Sequence, residues 1–255
     1  MDSLIQKFSI RNEVIGIGFG GSSAAKASDI LSDIDIYIFV KKQIPLEYRY
    51  EIIKEISSKY EIGGEYFGPG DEFYYDKIKK QIDLMYFDIN WFHSIVNNVW
   101  IKHIPSNGYT TCFLYTLKNL EIKYDKTGYL KELQNLVSSS YPKELKDNII
   151  KRNLMLLCDK PFASYYGQIE SAVKRKDFVS INHRISAFLA SYFDIIFALN
   201  ELLHPGEKKL IQFAKNNCKI LPDDFEKNII ELLEKPNKNT LANLDRLIFN
   251  LRKIL

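Results

Sequence analysis

Val14-Ile15-Gly16-Ile17-Gly18-Phe19-Gly20-Gly21-Ser22, ten residues, then Asp33-Ile34-Asp35-Ile36-Tyr37-Ile38-Phe39-Val40: the fold turns on this stretch. Its first part reads as a short strand running into Gly20-Gly21, where the missing Cβ permits positive φ and close approach of an anion. Ser22 and Ser23 offer hydroxyl and amide donors. Ser23-Ala24-Ala25-Lys26-Ala27 is small and helix-prone, so a helix N-terminus would face a bound phosphate. The second part reads as another strand. Side chains alternate along it, so Asp33 and Asp35 share one face while Ile34, Ile36, Ile38 and Val40 share the other. Two carboxylates on one face suit a hard divalent cation bound through oxygen.

A site for two metals needs a third carboxylate from a neighbouring strand. Lys80-Gln81-Ile82-Asp83-Leu84-Met85-Tyr86-Phe87 has the β-branched and aromatic content of a strand. Asp83 lies between Ile82 and Leu84, which face the other side. Asp76, Asp88 and Glu65 compete with it for that role.

The segment from Gly20 to Ile36 resembles the phosphate-and-metal grip of polymerase-β-like nucleotidyltransferases. It is most similar to small bacterial ones: aminoglycoside and lincosamide adenylyltransferases, and minimal nucleotidyltransferases paired with helical toxins. Leu120-Glu121-Ile122-Lys123-Tyr124-Asp125-Lys126-Thr127-Gly128 and Ala198-Leu199-Asn200-Glu201-Leu202-Leu203-His204-Pro205-Gly206-Glu207-Lys208-Lys209 resemble uncharacterised relatives that carry a C-terminal helical domain.

The resemblance implies an α+β chain: a mixed sheet flanked by helices over residues 1–140, then an all-α bundle over 141–255. It implies transfer of an NMP, expected to be AMP from ATP, onto a hydroxyl of a small molecule, with release of pyrophosphate. An antibiotic is one such acceptor. Two Mg²⁺ ions about 3.5–4 Å apart would be held by Asp33, Asp35 and Asp83. Asp83 is also placed to take the acceptor's proton. Gly20, Gly21, Ser22 and Ser23 would grip the phosphates. Where many relatives have Arg-Gly this chain has Ala25-Lys26, and Lys26 supplies a point charge instead. The alternatives are an enzyme that modifies a protein or an RNA end, and a binding module without turnover.

Composition agrees with a soluble enzyme of the cytoplasm. The 255 residues are 46% hydrophobic, ample for one large or two modest cores. No apolar run reaches the length of a membrane span, and the first residues lack a signal-peptide pattern. Cys112, Cys158 and Cys218 are far apart and odd in number, which suits a reducing compartment and neither zinc nor disulfides. The four histidines show no metal-ligand spacing. Net charge is +3, made of 16 basic against 18 acidic side chains up to residue 140 and 19 against 14 beyond it. That falls short of the basic stripe of a nucleic-acid binder, so nucleic acid is not an expected partner. Whether the acceptor cleft lies in one chain or between subunits of a homodimer is left open.

Ser138-Ser139-Ser140-Tyr141-Pro142 marks the change from strands to helices. Before it, helices are expected over about 46–59 and 90–100, the latter packing Trp91 and Trp100 in the core. After it, the strongest helix is expected over about 178–203. Ile181, Ile185, Phe188, Tyr192, Ile195, Ile196, Leu199 and Leu203 form its apolar stripe. Arg184, Ala187, Ser191, Asp194, Ala198 and Glu201 form a second, small and polar stripe. On it Asp194 and Glu201 are candidates for the acceptor-binding or general-base carboxylate, since resistance adenylyltransferases draw one from their helical domain. Lys208 and Lys209, past the helix end, are candidates for reaching the triphosphate. Further helices are expected over about 223–234 and 240–253.

Overall fold

The computed structural model describes residues 1–20, 33–66, 68–160, 162–234 and 239–255. The chain separates into two compact units, Met1–Asn97 with Thr116–Ser139, and Asn98–Tyr115 with Ser140–Leu255.

The first unit is built on a six-stranded sheet of β1 (Val14–Phe19), β2 (Ile34–Val40), β3 (Tyr60–Gly64), β4 (Gly70–Tyr75), β5 (Lys80–Asp88) and β6 (Glu121–Asp125), in the order β3-β4-β5-β2-β1-β6. Only β2 and β5 run parallel; the other neighbours are antiparallel. The sheet is therefore mixed, as expected. One face is apolar, with Ile36, Ile38, Ile82, Leu84 and Phe73 packed against Leu4 and Phe8 of α1 (Asp2–Ser9) and Ile52 and Ile53 of α2 (Leu46–Lys54).

Helix α2 stops at Lys54, short of the expected 59. Just beyond it Ser57 Oγ donates to Lys59 O (2.7 Å) and accepts from Lys59 N (3.1 Å). A serine that bonds its own backbone offers the chain an alternative to the helix. Helix α3 (Ile89–Val96) starts where Asp88 caps the amides of Asn90 and Trp91, each at 2.9 Å. It runs on as a single π-turn over Asn97–Ile101. The unit also holds α5 (Tyr129–Val137); α4 (Cys112–Lys118) spans the boundary between the units.

The second unit is helical: α6 (Lys143–Leu154) with a π-turn over Met155–Asp159, α7 (Tyr165–Arg175), α8 (Phe178–Leu199), α9 (Leu210–Asn217), α10 (Phe225–Glu234) and α11 (Thr240–Arg252). Helix α8 is capped by Asp177, which accepts from Ser180 N at 3.1 Å. Its Ile181, Ile185, Phe188, Tyr192, Ile195 and Ile196 lie in the core with Ile229, Leu232, Leu244 and Leu247 of α10 and α11.

The helix ends at Leu199, four residues before the expected end. Asn200 Oδ1 accepts from Lys219 N and Ile220 N, both at 2.8 Å, and Glu201 takes a left-handed φ of 56°. Among the described residues, no helix is long and apolar enough to cross a membrane.

Candidate functional site

Register places the carboxylates. Asp35 on β2 lies directly opposite Asp83 on β5, and Asp83 in turn lies opposite Glu72 on β4, which lies opposite Glu61 on β3. Directly opposed residues share a sheet face, so four carboxylates form one row across four adjacent strands, about 4.8 Å from strand to strand. Asp33 stands two residues before Asp35, just ahead of β2, on the same face. Asp83 also accepts from Gln81 Nε2 at 3.2 Å.

Like charges directly opposed in a sheet repel, and the neighbouring groups register it. The Glu72 carboxyl is raised, by burial first and then by Asp83, Glu61 and Asp33. The Tyr37 phenol, two residues beyond Asp35, is raised by burial and then by Asp35 and Asp83. The competitors for the third position are engaged elsewhere or apart: Asp76 accepts from Ser58 N (2.9 Å) and Ser58 Oγ (3.1 Å), Asp88 caps α3, and Glu65 sits in the turn after β3.

All donors in the row are anionic oxygens, the chemistry a hard divalent cation takes. Among the described residues, however, no three His, Cys, Asp or Glu side chains converge to hold a metal ion. The donor set fits Mg²⁺ in kind, and the side chains stand spread along the row.

Farther along the same face, Trp91 of α3 lies parallel to Phe87 (5.8 Å between centroids, 8° between planes), and Phe92 meets Phe39 edge-on at 5.0 Å. Trp91 remains 42% exposed, against the expectation that it is core, whereas Trp100 is buried in the helical unit against Tyr141.

Of the expected phosphate grip, Gly21, Ser22, Ser23 and Lys26 lie outside the described residues. Gly20 has a different reason to be glycine. Its amide donates to Asp35 O at 3.0 Å, which extends the β1–β2 ladder. A Cβ there would stand 1.9 Å from the Tyr37 ring. The amide is thus committed to the sheet, and the residue's small size lets Tyr37 lie across it.

In the helical unit, Asp194 and Glu201 do not share a helix face. Glu201 lies beyond the end of α8 and pairs with Lys146 Nζ at 3.1 Å. Asp194 is buried to 2% exposure and accepts from Thr110 N (3.0 Å), Thr110 Oγ1 (2.6 Å) and Asn153 Nδ2 (3.0 Å). Burial raises its carboxyl to about 6, and those hydrogen bonds oppose the rise. The stripe read as small and polar is buried from Ser191 through Ala198, because the loop before α4 packs on it. Lys208 and Lys209 occupy the turn ahead of α9, Lys209 at φ 54°.

No protein-family model matches the chain, and no curated protein matches it. Solved structures similar to it include the following two. One is a nucleotidyltransferase-like protein from Exiguobacterium sibiricum 255-15, at 10% identity and TM-score 0.48, over 99% of this chain and 72% of that one. The other is the spectinomycin adenyltransferase AAD(9) from Enterococcus faecialis, solved with ATP and spectinomycin, at 15% identity and TM-score 0.30, over 99% of both chains.

Proposed function

We propose that the protein is a nucleotidyltransferase that moves an NMP, AMP from ATP in the first instance, onto a hydroxyl of a small molecule. The observation that carries this reading is the in-register pair Asp35 and Asp83 on parallel β2 and β5, with Asp33 two residues ahead of Asp35 on the same face. A row of opposed carboxylates is costly in a sheet unless positive charge meets it.

In this reading the acceptor oxygen attacks the α-phosphorus as the bond to the bridging oxygen breaks. Pyrophosphate leaves with the electron pair, and the hydroxyl proton passes to Asp83. Asp33, Asp35 and Asp83 would hold two Mg²⁺ ions, which when bound supply Lewis-acid stabilisation of the attacking and leaving oxygens. Gly21, Ser22, Ser23 and Lys26 would hold the phosphates through backbone amides, hydroxyls and one ammonium.

The test is release of pyrophosphate from labelled ATP with Mg²⁺ across a panel of hydroxylated acceptors. Asp83→Asn would be run beside Asp76→Asn, a carboxylate engaged at the Ser58 turn instead of in the row. Loss of turnover of about 10²-fold or more in Asp83→Asn alone supports the role of Asp83. Equal rates in both variants would remove Asp83 from the reaction.

A further inference from the structure

The helical unit has a cleft of about 590 Å³ between α8, α9 and α10, within the range of about 300–1,000 Å³ typical of small-molecule sites. It is lined by apolar side chains: Leu189, Ala190 and Phe193 from α8, Leu210 from α9, Ile229 and Leu233 from α10. Several of its polar residues are already satisfied. Ser186 Oγ donates to Asn182 O (3.2 Å), Gln212 Nε2 to Asn216 Oδ1 (2.8 Å), and Glu226 is held by Lys215 Nζ (2.5 Å).

Tyr109, Glu207 and Lys209 also line the cleft. Tyr109 is held there at some backbone cost. It has φ 55°, and Gly108 before it has φ 88°, where a Cβ would stand 2.8 Å from that of Ala190. Left-handed φ at a non-glycine residue persists where surroundings over-determine it, and such residues cluster at ligand sites. Here Gly108 N donates to Asn153 Oδ1 (3.1 Å) and Thr110 is locked on Asp194. His204 backs the Tyr109 ring at 4.7 Å between centroids. The Glu207 charge reaches the Tyr109 phenol, which burial raises first and Glu207 next.

We propose that this cleft binds a small molecule that joins an apolar ring to a protonated amine. The ring lies on the Leu189–Phe193–Ile229 floor and the ammonium sits between the Glu207 carboxylate and the Tyr109 ring. An aromatic face beside a carboxylate attracts an ammonium by both charge and quadrupole. Lys209, which also lines the cleft, disfavours a second cation on the ligand.

The probes are tryptamine, tryptophol and indole-3-propionate, which share one ring and differ only in the end group. Each is titrated into the full chain by ligand-observed NMR, where a fragment of this size binds with Kd on the order of 1 mM. The expected result is saturable tryptamine binding, with tryptophol weaker by about threefold to tenfold. Glu207→Gln weakens tryptamine by a similar factor and leaves tryptophol unchanged.

Leu233→Arg, at a position 51% exposed, puts a cation in the mouth of the cleft and abolishes tryptamine binding with thermal unfolding unchanged. No saturable tryptamine binding below about 10 mM overturns the proposal. So does equal binding of tryptophol, or tighter binding of the propionate, or indifference of tryptamine to Glu207→Gln.

Discussion

The sheet unit and the helical unit use the same side chain in opposite ways. Across β3, β4, β5 and β2 the carboxylates stand opposite one another on one face, with backbone register setting their neighbours. In the helical unit Asp194 is sealed from water and surrounded by neutral donors, so its charge is dispersed over Thr110 and Asn153. The first arrangement costs stability and suits a cation; the second holds a loop against a helix. A carboxylate's function is thus read from what faces it and hardly at all from its presence on a helix or strand.

That contrast breaks down first if Asp194 can be removed cheaply. Asp194→Ala leaves Thr110 N and Thr110 Oγ1 without their buried acceptor and takes one of the acceptors of Asn153 Nδ2. It is expected to destabilise by about 3 kcal/mol or more, measured by denaturant unfolding. Asp194→Asn keeps the shape and an acceptor oxygen, and is expected to cost clearly less.

The pH dependence sharpens the same point. Asp194 has its carboxyl raised to about 6 by burial, so its contribution is fully present below its unfolded value and is lost as pH rises through about 6. With roughly 1.4 kcal/mol per unit, the loss is about 3 kcal/mol. His204 opposes it. Burial lowers its imidazole to about 4, so its contribution is present above its unfolded value of 6.5 and is lost as pH falls through about 4. Asp194→Asn is therefore expected to lose stability more steeply than wild type between pH 6.5 and 4, whereas His204→Gln gains stability over that interval. Parallel unfolding curves for all three proteins would contradict both assignments.

Gly20→Ala probes the sheet side. Its Cβ collides with the Tyr37 ring, which costs about 1–3 kcal/mol if the ring must move. Tyr37→Leu in the same chain is expected to restore part of the thermal midpoint. The smallest effect is expected at Glu72. Glu72→Gln removes one charge from the row and stabilises by about 0.2–1 kcal/mol in the absence of divalent cation. Destabilisation there would mean that the row is compensated by other groups.

Much of the sheet unit was legible in the sequence because strand alternation is local. Period-two patterning alone put Asp33 and Asp35 on one face and the isoleucines on the other. Glu61 and Glu72 were missed because their place in the row depends on the β3–β4 hairpin and on β4 pairing with β5, which no short-range pattern reports. Along β4 the alternation set by buried Phe73 and Tyr75 puts Glu72 on the opposite face.

The helical unit was less legible for the same reason. Ser191, Asp194 and Ala198 look like a solvated stripe until the segment around Gly108–Thr111, eighty residues earlier, packs over it. Asn200, which ends α8 by accepting from Lys219 and Ile220, was the available sign that Glu201 leaves the helix.

Under the proposed function, the Asp33, Asp35 and Asp83 face binds a metal–triphosphate. Calorimetric titration of ATP, GTP, CTP and UTP with Mg²⁺, into wild type and into Asp33→Asn with Asp35→Asn, tests it most directly. The expected result is Mg²⁺-dependent binding of one triphosphate, abolished in the double variant while its thermal midpoint is retained or raised. Binding that survives the double substitution, or that needs no divalent cation, would contradict it.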